Sequence, residues 1–216
     1  MPEGDPVRAE VYVDVLCPWC FIAKRRLETA LAALPGTGRA AVVWRSFELS
    51  PGQGRVPGPT AAEEMIRWWG ERASARIDLI RRLGAAEGLV LDLHTARPVN
   101  TFDAHRLLHL AAARDRADPM LERLLGAYHT DGADIADLHV LERLGAKAGL
   151  DGGDVAAVLR GDAYADAVRA DERRAFERGV TGVPALVIGT RPPVSPLRPP
   201  AELARLLELG MTGRPG

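Results

Sequence analysis

An α/β unit interrupted by a block of helices is the fold class that this 216-residue sequence predicts. Three observations lead there. β-rich runs are confined to the two ends of the chain, and the middle repeats its apolar residues at helical spacing. The strand near the C-terminus can then pair only with the N-terminal sheet.

Val11, Val13 and Val15 alternate with Tyr12 and Asp14, which predicts a strand over about 9–15. Cys20, Ala23, Leu27, Ala30, Leu31 and Leu34 recur every three or four residues, an amphipathic helix that stops before Pro35-Gly36. Ala40 to Phe47 reads as a second strand, and the Gly/Pro-rich run from Pro51 to Pro59 as loop. From Thr60 one long helix is expected to reach Gly88, with a short extended piece at Leu89 to Leu93. Helical patterns follow at about 101–116, 118–128, 138–148, 154–160 and 162–178. Asn100 or Thr101, Asp118 ahead of Pro119, and Asp137 are the expected caps. β character returns at Pro184 to Ile188, and after a proline-rich link the helix Ala201 to Leu209 closes the chain. The expected division is a sheet-bearing domain made from 8–60 and 179–210, with transitional helical flanks at 61–93 and 162–178. A helical domain, 94–161, is inserted between them, and 1–7 and 211–216 are tails.

Composition narrows the function. Hydrophobic residues at 47% and charged residues at 26% fit an ordinary globular protein with a substantial core. A net charge of −1 gives no case for nucleic acid or an anionic membrane as partner. The first ten residues lack the basic and apolar regions of a signal peptide, and no apolar run approaches the ~20 residues of a membrane span. A cytoplasmic protein, monomer or homodimer, is the expectation.

Both cysteines of the chain fall in one turn, Cys17-Pro18-Trp19-Cys20. Proline suits the first position of a helix, so Pro18 places Cys17 at the N-cap, where unpaired backbone N–H groups and the helix dipole favour thiolate. Cys20 lies one turn along on the same face. The spacing predicts an exposed attacking sulfur and a sheltered resolving one, the arrangement of thiol–disulfide exchange. A zinc half-site would need two more ligands, and a structural disulfide would be unusual in the cytosol. No metal site is expected.

The stretch VDVLCPWCFIAKRRLETAL resembles the DsbA-like thioredoxin-fold oxidoreductases, specifically their FrnE-like branch. The likeness continues through Trp44 to Leu49, Pro98 to His109, Asp134-Ile135, Tyr164 to Val168 and Gly179 to Ala185. It implies a thioredoxin fold with a large all-helical domain inserted between its N-terminal and C-terminal parts. It also implies a cis Val183-Pro184 bond facing the cysteines, with Val183 free to pair with a substrate strand. Pro18, Trp19, Val183, Pro184 and Asn100 become candidate substrate contacts beside the catalytic Cys17 and Cys20. The sequence departs from the family at Ala185, where a large aromatic is common, and at Ser195 to Pro199. Pro192, Pro193 and Pro196 lack N–H donors and predict a short or irregular edge strand there.

The resemblance leaves two activities open. One is a thiol–disulfide oxidoreductase acting on protein or low-molecular-weight disulfides, with no bound cofactor and glutathione as redox partner. The other is a glutathione-dependent isomerase or transferase for a small aromatic or polyketide-like substrate, as in the related 2-hydroxychromene-2-carboxylate isomerases and kappa-class glutathione transferases. Those relatives usually carry serine at the catalytic turn, and a resolving Cys20 would compete with glutathione for the Cys17 sulfur. His105 and His109 have zincin-like spacing without the adjacent Glu, so helix-surface or interface positions are expected. Trp68-Trp69 reads as core and groove lining, or as a hydrophobic substrate surface if partly exposed.

Overall fold

The computed structural model describes residues 7–34 and 40–211. Apart from residues 7 and 211, the two expected tails lie outside the described residues, as does the helix stop at Pro35-Gly36. Three strands form a mixed sheet in the order β2-β1-β3, with β1 (Val7–Val13) at the centre. β2 (Ala40–Ser46) runs parallel to β1, and the crossover between them is α1 (Pro18–Ala32). β3 (Ala185–Ile188) runs antiparallel on the other side, so the chain ends do share one sheet. Beyond β3, pairing shrinks to a single bridge in which Leu186 and Val194 exchange N–H···O bonds of 2.9 Å each way. The prolines around Val194 cannot extend that ladder, which is the irregular edge the sequence predicted.

Because β1 is central, both its faces are buried. Ala9, Val11 and Val13 pack in a core that includes Leu27 of α1 and Leu203 and Leu207 of α9 (Pro200–Met211). Each of those leucines is worth about 2 kcal/mol of burial. The other face carries Glu10 and Tyr12, and Asp14 just past the strand continues the alternation.

Between β2 and β3 lie seven helices among the described residues: α2 (Ala61–Trp69), α3 (Arg72–Ala86), α4 (Phe102–Ala112), α5 (Ala117–His129), α6 (Leu138–Lys147), α7 (Gly152–Arg160) and α8 (Ala165–Glu177). Buried Lys24 fastens α1 to α5, its ammonium meeting Glu28, Asp118 and Glu122.

Two local expectations need correcting. The long helix from Thr60 to Gly88 is two helices. Thr60 and Glu63 close a capping box at the start of α2, and Gly70, at φ 55° and ψ −132°, reverses the chain before α3. Helical periodicity runs through both pieces, so only the glycine marks the break. Leu89 to Leu93 is the short non-helical piece expected: alternate leucines are buried, and its Asp92 N–H bonds the His129 carbonyl, outside the sheet. Asp118 does not cap α5, which begins one residue earlier; its carboxylate meets Lys24 at 3.1 Å. Asp137 caps α6 as expected, accepting from the N–H groups of His139 and Val140.

Candidate active site

Where β1 ends, the chain turns through Asp14 to Leu16 and enters α1. Cys17 is the N-cap (φ −88°, ψ 107°) and Pro18 opens the helix. The turn is pinned by two backbone bonds, Cys17 N–H to the Asp14 carbonyl at 3.2 Å and Cys20 N–H to the Cys17 carbonyl at 3.0 Å. No side chain caps the first turn, so its free N–H groups and the helix dipole act at the Cys17 position. Opposite stands the loop before β3. Val183-Pro184 is cis, and the Cys17 thiol donates to the Val183 carbonyl at 3.6 Å.

The two sulfurs are unequal, though not as the sequence suggested. Cys17 is only 3% exposed, because the Val183 backbone and the surrounding walls cover it. Access is through a cavity of about 470 Å³, which Cys17 lines together with Pro18, Trp19, Trp68, Trp69 and Val183. Cys20 is wholly buried and does not line it. Burial first, then the neighbouring Cys17 sulfur, push the Cys20 thiol well above its ordinary range. Pro184 sits behind Val183 in the chain and outside the lining. Asn100 is also outside: its Oδ1 accepts from the Phe102 N–H at 3.1 Å and its N–H bonds the Gly54 carbonyl. Two larger grooves, of about 930 and 760 Å³, contain neither cysteine.

Histidines gather around the turn in a way the sequence did not disclose. His105 is buried, not on the helix surface, and its Nε2 lies 3.3 Å from Asp14 Oδ1. Asp14 also accepts from the N–H groups of Leu49 (2.7 Å) and Leu16 (3.4 Å). His129, the last residue of α5, joins the cavity wall beside Tyr128, its ring edge-on to that tyrosine at 4.8 Å. Burial pushes its imidazole down to about 4, against the pull of the Val15 and Cys17 carbonyls and the Asp14 charge. It is therefore neutral at pH 7. His109 lies 3.3 Å from Ser46 Oγ and 3.1 Å from Asp171 Oδ2. The same Nε2 makes both contacts, so this is no proton relay through the ring.

The site is thus a pair of thiols at a helix N-terminus facing a cis-proline loop. Residues 8–208 match the family model described as DSBA-like thioredoxin domain, and the chain belongs to that family. A probable DsbA oxidoreductase from Streptomyces coelicolor, SCO1869, is 38% identical in a solved structure, with a TM-score of 0.90 over 97% of this chain and 92% of that one. The protein YwbO of Bacillus subtilis (strain 168) is 25% identical over 85% of this chain and 87% of its own length. The cytosolic disulfide reductase DsbM from Pseudomonas aeruginosa has the same fold (TM-score 0.65, 22% identity, 96% of this chain and 100% of that one) and has also been solved with GSH. Membership makes the chain a DsbA-like oxidoreductase in the general sense of thiol–disulfide chemistry.

Proposed function

We propose that the protein is a cytoplasmic thiol–disulfide oxidoreductase in which Cys17 attacks and Cys20 resolves. The Cys17 thiolate attacks one sulfur of a substrate disulfide R–S–S–R′. A Cys17–S–S–R bond forms as R′–S⁻ leaves and takes up a proton. Cys20, held one helical turn away, then loses its proton and attacks the Cys17 sulfur. The Cys17–Cys20 disulfide closes and R–S⁻ departs, so two electrons have passed from the dithiol to the substrate. Run backwards, the same steps oxidise a substrate dithiol. Glutathione, on the cytosolic side, is the co-reactant that would reset the pair, and a fold relative solved with GSH is compatible with that.

The observation that carries this reading is the inequality of the sulfurs. One borders a cavity under a helix terminus, and the other is sealed beneath it. A glutathione-dependent isomerase would have no use for Cys20 there, since the thiol would displace the bound glutathione from Cys17. Trapping tests the assignment. Cys17→Ser should abolish exchange, and Cys20→Ser incubated with oxidised glutathione should accumulate a mixed disulfide that mass spectrometry maps to Cys17. Adducts forming mainly on Cys20, in a Cys17→Ser protein that still turns over, would overturn it.

A further inference from the structure

Three of the four tryptophans in the chain border the cavity that holds Cys17. Trp19 belongs to the catalytic turn, but Trp68 and Trp69 come from the far end of α2 and contribute little to the core. Trp68 is 63% exposed and Trp69 36%. Leu49, also on the cavity wall, is 46% exposed. Leaving two indoles and a leucine in water at one rim is a costly use of apolar surface unless something covers it.

The rim is also built to a fixed shape. The reversal at Gly70 ends α2 and sends α3 back alongside it. Arg76 of α3 then lies over the Trp69 ring, its guanidinium carbon 4.7 Å from the centroid. Trp69 in turn holds Trp68 edge-to-face at 5.8 Å between centroids. One indole is clamped and the other is presented outward.

Resting on the oxidoreductase reading above, we propose that α2 and α3 form a specificity arm. Trp68 and Trp69 receive a bulky apolar side chain beside the substrate cysteine, and the substrate is a polypeptide segment. Two features select a polypeptide over a small disulfide. The apolar lining runs from Cys17 to a rim at which Trp68 and Leu49 are still largely exposed, so a ligand that covers both must extend out of the cavity. The Val183 backbone at the cavity edge also offers main-chain pairing to an extended segment that continues past the sulfur.

The test compares two glutathionylated peptides that differ only in having Phe or Ser next to the cysteine. Wild-type protein should reduce the Phe peptide with about tenfold higher kcat/KM, the factor expected for one well-placed apolar side chain. In Trp68→Ala/Trp69→Ala the ratio should fall to within about twofold of unity, and Trp68→Phe should keep most of it. Gly70→Ala, which puts a Cβ on a backbone at φ 55°, should lower the ratio with both indoles still present. A wild-type ratio near one overturns the proposal, as does a ratio that survives the double substitution. Discrimination confined to small aryl over alkyl disulfides would assign the site to a small molecule and overturn it as well. If neither peptide nor any small disulfide is turned over, the oxidoreductase reading itself has failed, a result distinct from exchange without preference.

Discussion

The middle of one strand and its far end treat buried polar groups differently. At the middle of β1, Glu10 is gripped by the guanidinium groups of Arg45 (2.7 Å) and Arg174 (3.0 Å). Arg45 reaches on to Asp171 at 2.8 Å, and the Ser46 N–H donates to the same carboxylate at 3.0 Å. At the C-terminal end, where Asp14 leads into the cysteines, pairing is incomplete. His105 Nδ1, Tyr128 Oη, His129 Nε2 and Glu48 Oε1 are buried there without hydrogen-bond partners among the described residues. The charged groups around Glu10 are all paired, although Tyr12 Oη beside them is also buried without a partner. Paired charges hold elements in place, whereas a partly paired network costs stability and is tolerated where chemistry needs neutral, uncommitted groups. The first region fastens α8 to the sheet. The second adjoins the dithiol, with Tyr128 and His129 on the wall of its cavity.

The sharpest way to break the comparison is to damage the paired region. Glu10→Ala would leave two guanidinium groups facing each other with no carboxylate between them. We expect a loss of about 3 kcal/mol in urea unfolding at pH 7, with disulfide exchange in the surviving folded protein little changed. The sign with pH follows from the same contacts. Burial alone would raise the Glu10 carboxyl, but Arg45 and Arg174 overcome it and hold it below its ordinary range. Asp171 is held down likewise, by His109, the Ser46 N–H and Arg45 acting against burial. Both contribute stability that is present above the unfolded carboxylate range and lost as the pH falls through it. Glu48 runs the other way, raised chiefly by burial, so its strain is relieved in acid.

The unpaired end should fail at milder acidity. His129 stays neutral in the folded protein down to about pH 4, while in the unfolded chain it takes a proton from about pH 6.5 downward. Across that window the unfolded state gains the proton first, so stability falls with pH. The ceiling on this loss is about 3 kcal/mol, reached near pH 4. His129→Phe keeps a ring against Tyr128 and Phe21 but cannot titrate. It should flatten the stability profile between pH 6.5 and 4 by about 2–3 kcal/mol, measured by urea unfolding at each pH, and leave the carboxylate-driven loss at lower pH intact. An unaltered profile would mean that His129 is hydrated and that the contrast between the two regions is smaller than the packing indicates.

The paired and unpaired regions were not equally legible in the sequence. The cysteine turn was, because strand, N-cap, proline and second cysteine are consecutive, and each is fixed by local backbone chemistry. The strand alternation also placed Glu10, Tyr12 and Asp14 on one face. Their partners were hidden, since Arg45 and Arg174 reach Glu10 from 35 and 164 residues away and His105 reaches Asp14 from 91, on elements where nothing local marks them. His129 shows the difficulty best. The pair His105 and His109 drew attention by spacing, yet the histidine beside the dithiol merely ends a helix. Only the packing of α5 against α1 brings it there. The break at Gly70 was missed for a related reason: periodicity reports which face is apolar, not whether the axis has turned.

The smallest effect expected is also the one closest to the chemistry, and it asks what the unpaired end does to redox poise. Periplasmic DsbA relatives carry a histidine just before the second cysteine, where it helps stabilise the thiolate. Here Trp19 occupies that position, and its indole carries no charge and offers only one N–H. Nor does His129 supply the missing cation, because burial keeps it neutral. A less stabilised thiolate means a less stabilised dithiol, hence a weaker oxidant. We expect a reduction potential more negative than the about −120 mV of DsbA and nearer the glutaredoxin range of about −200 to −230 mV, read by equilibrating the pair against a glutathione buffer. Trp19→His should move the equilibrium toward the dithiol by about tenfold, roughly 30 mV, and extend alkylation of Cys17 to lower pH. A wild-type pair as oxidising as DsbA, or a histidine variant indistinguishable from wild type, would show that the charge balance around Cys17 is set elsewhere. The next residue to probe would then be the buried Asp14 carboxylate, whose charge reaches Cys20, Tyr128 and His129 alike.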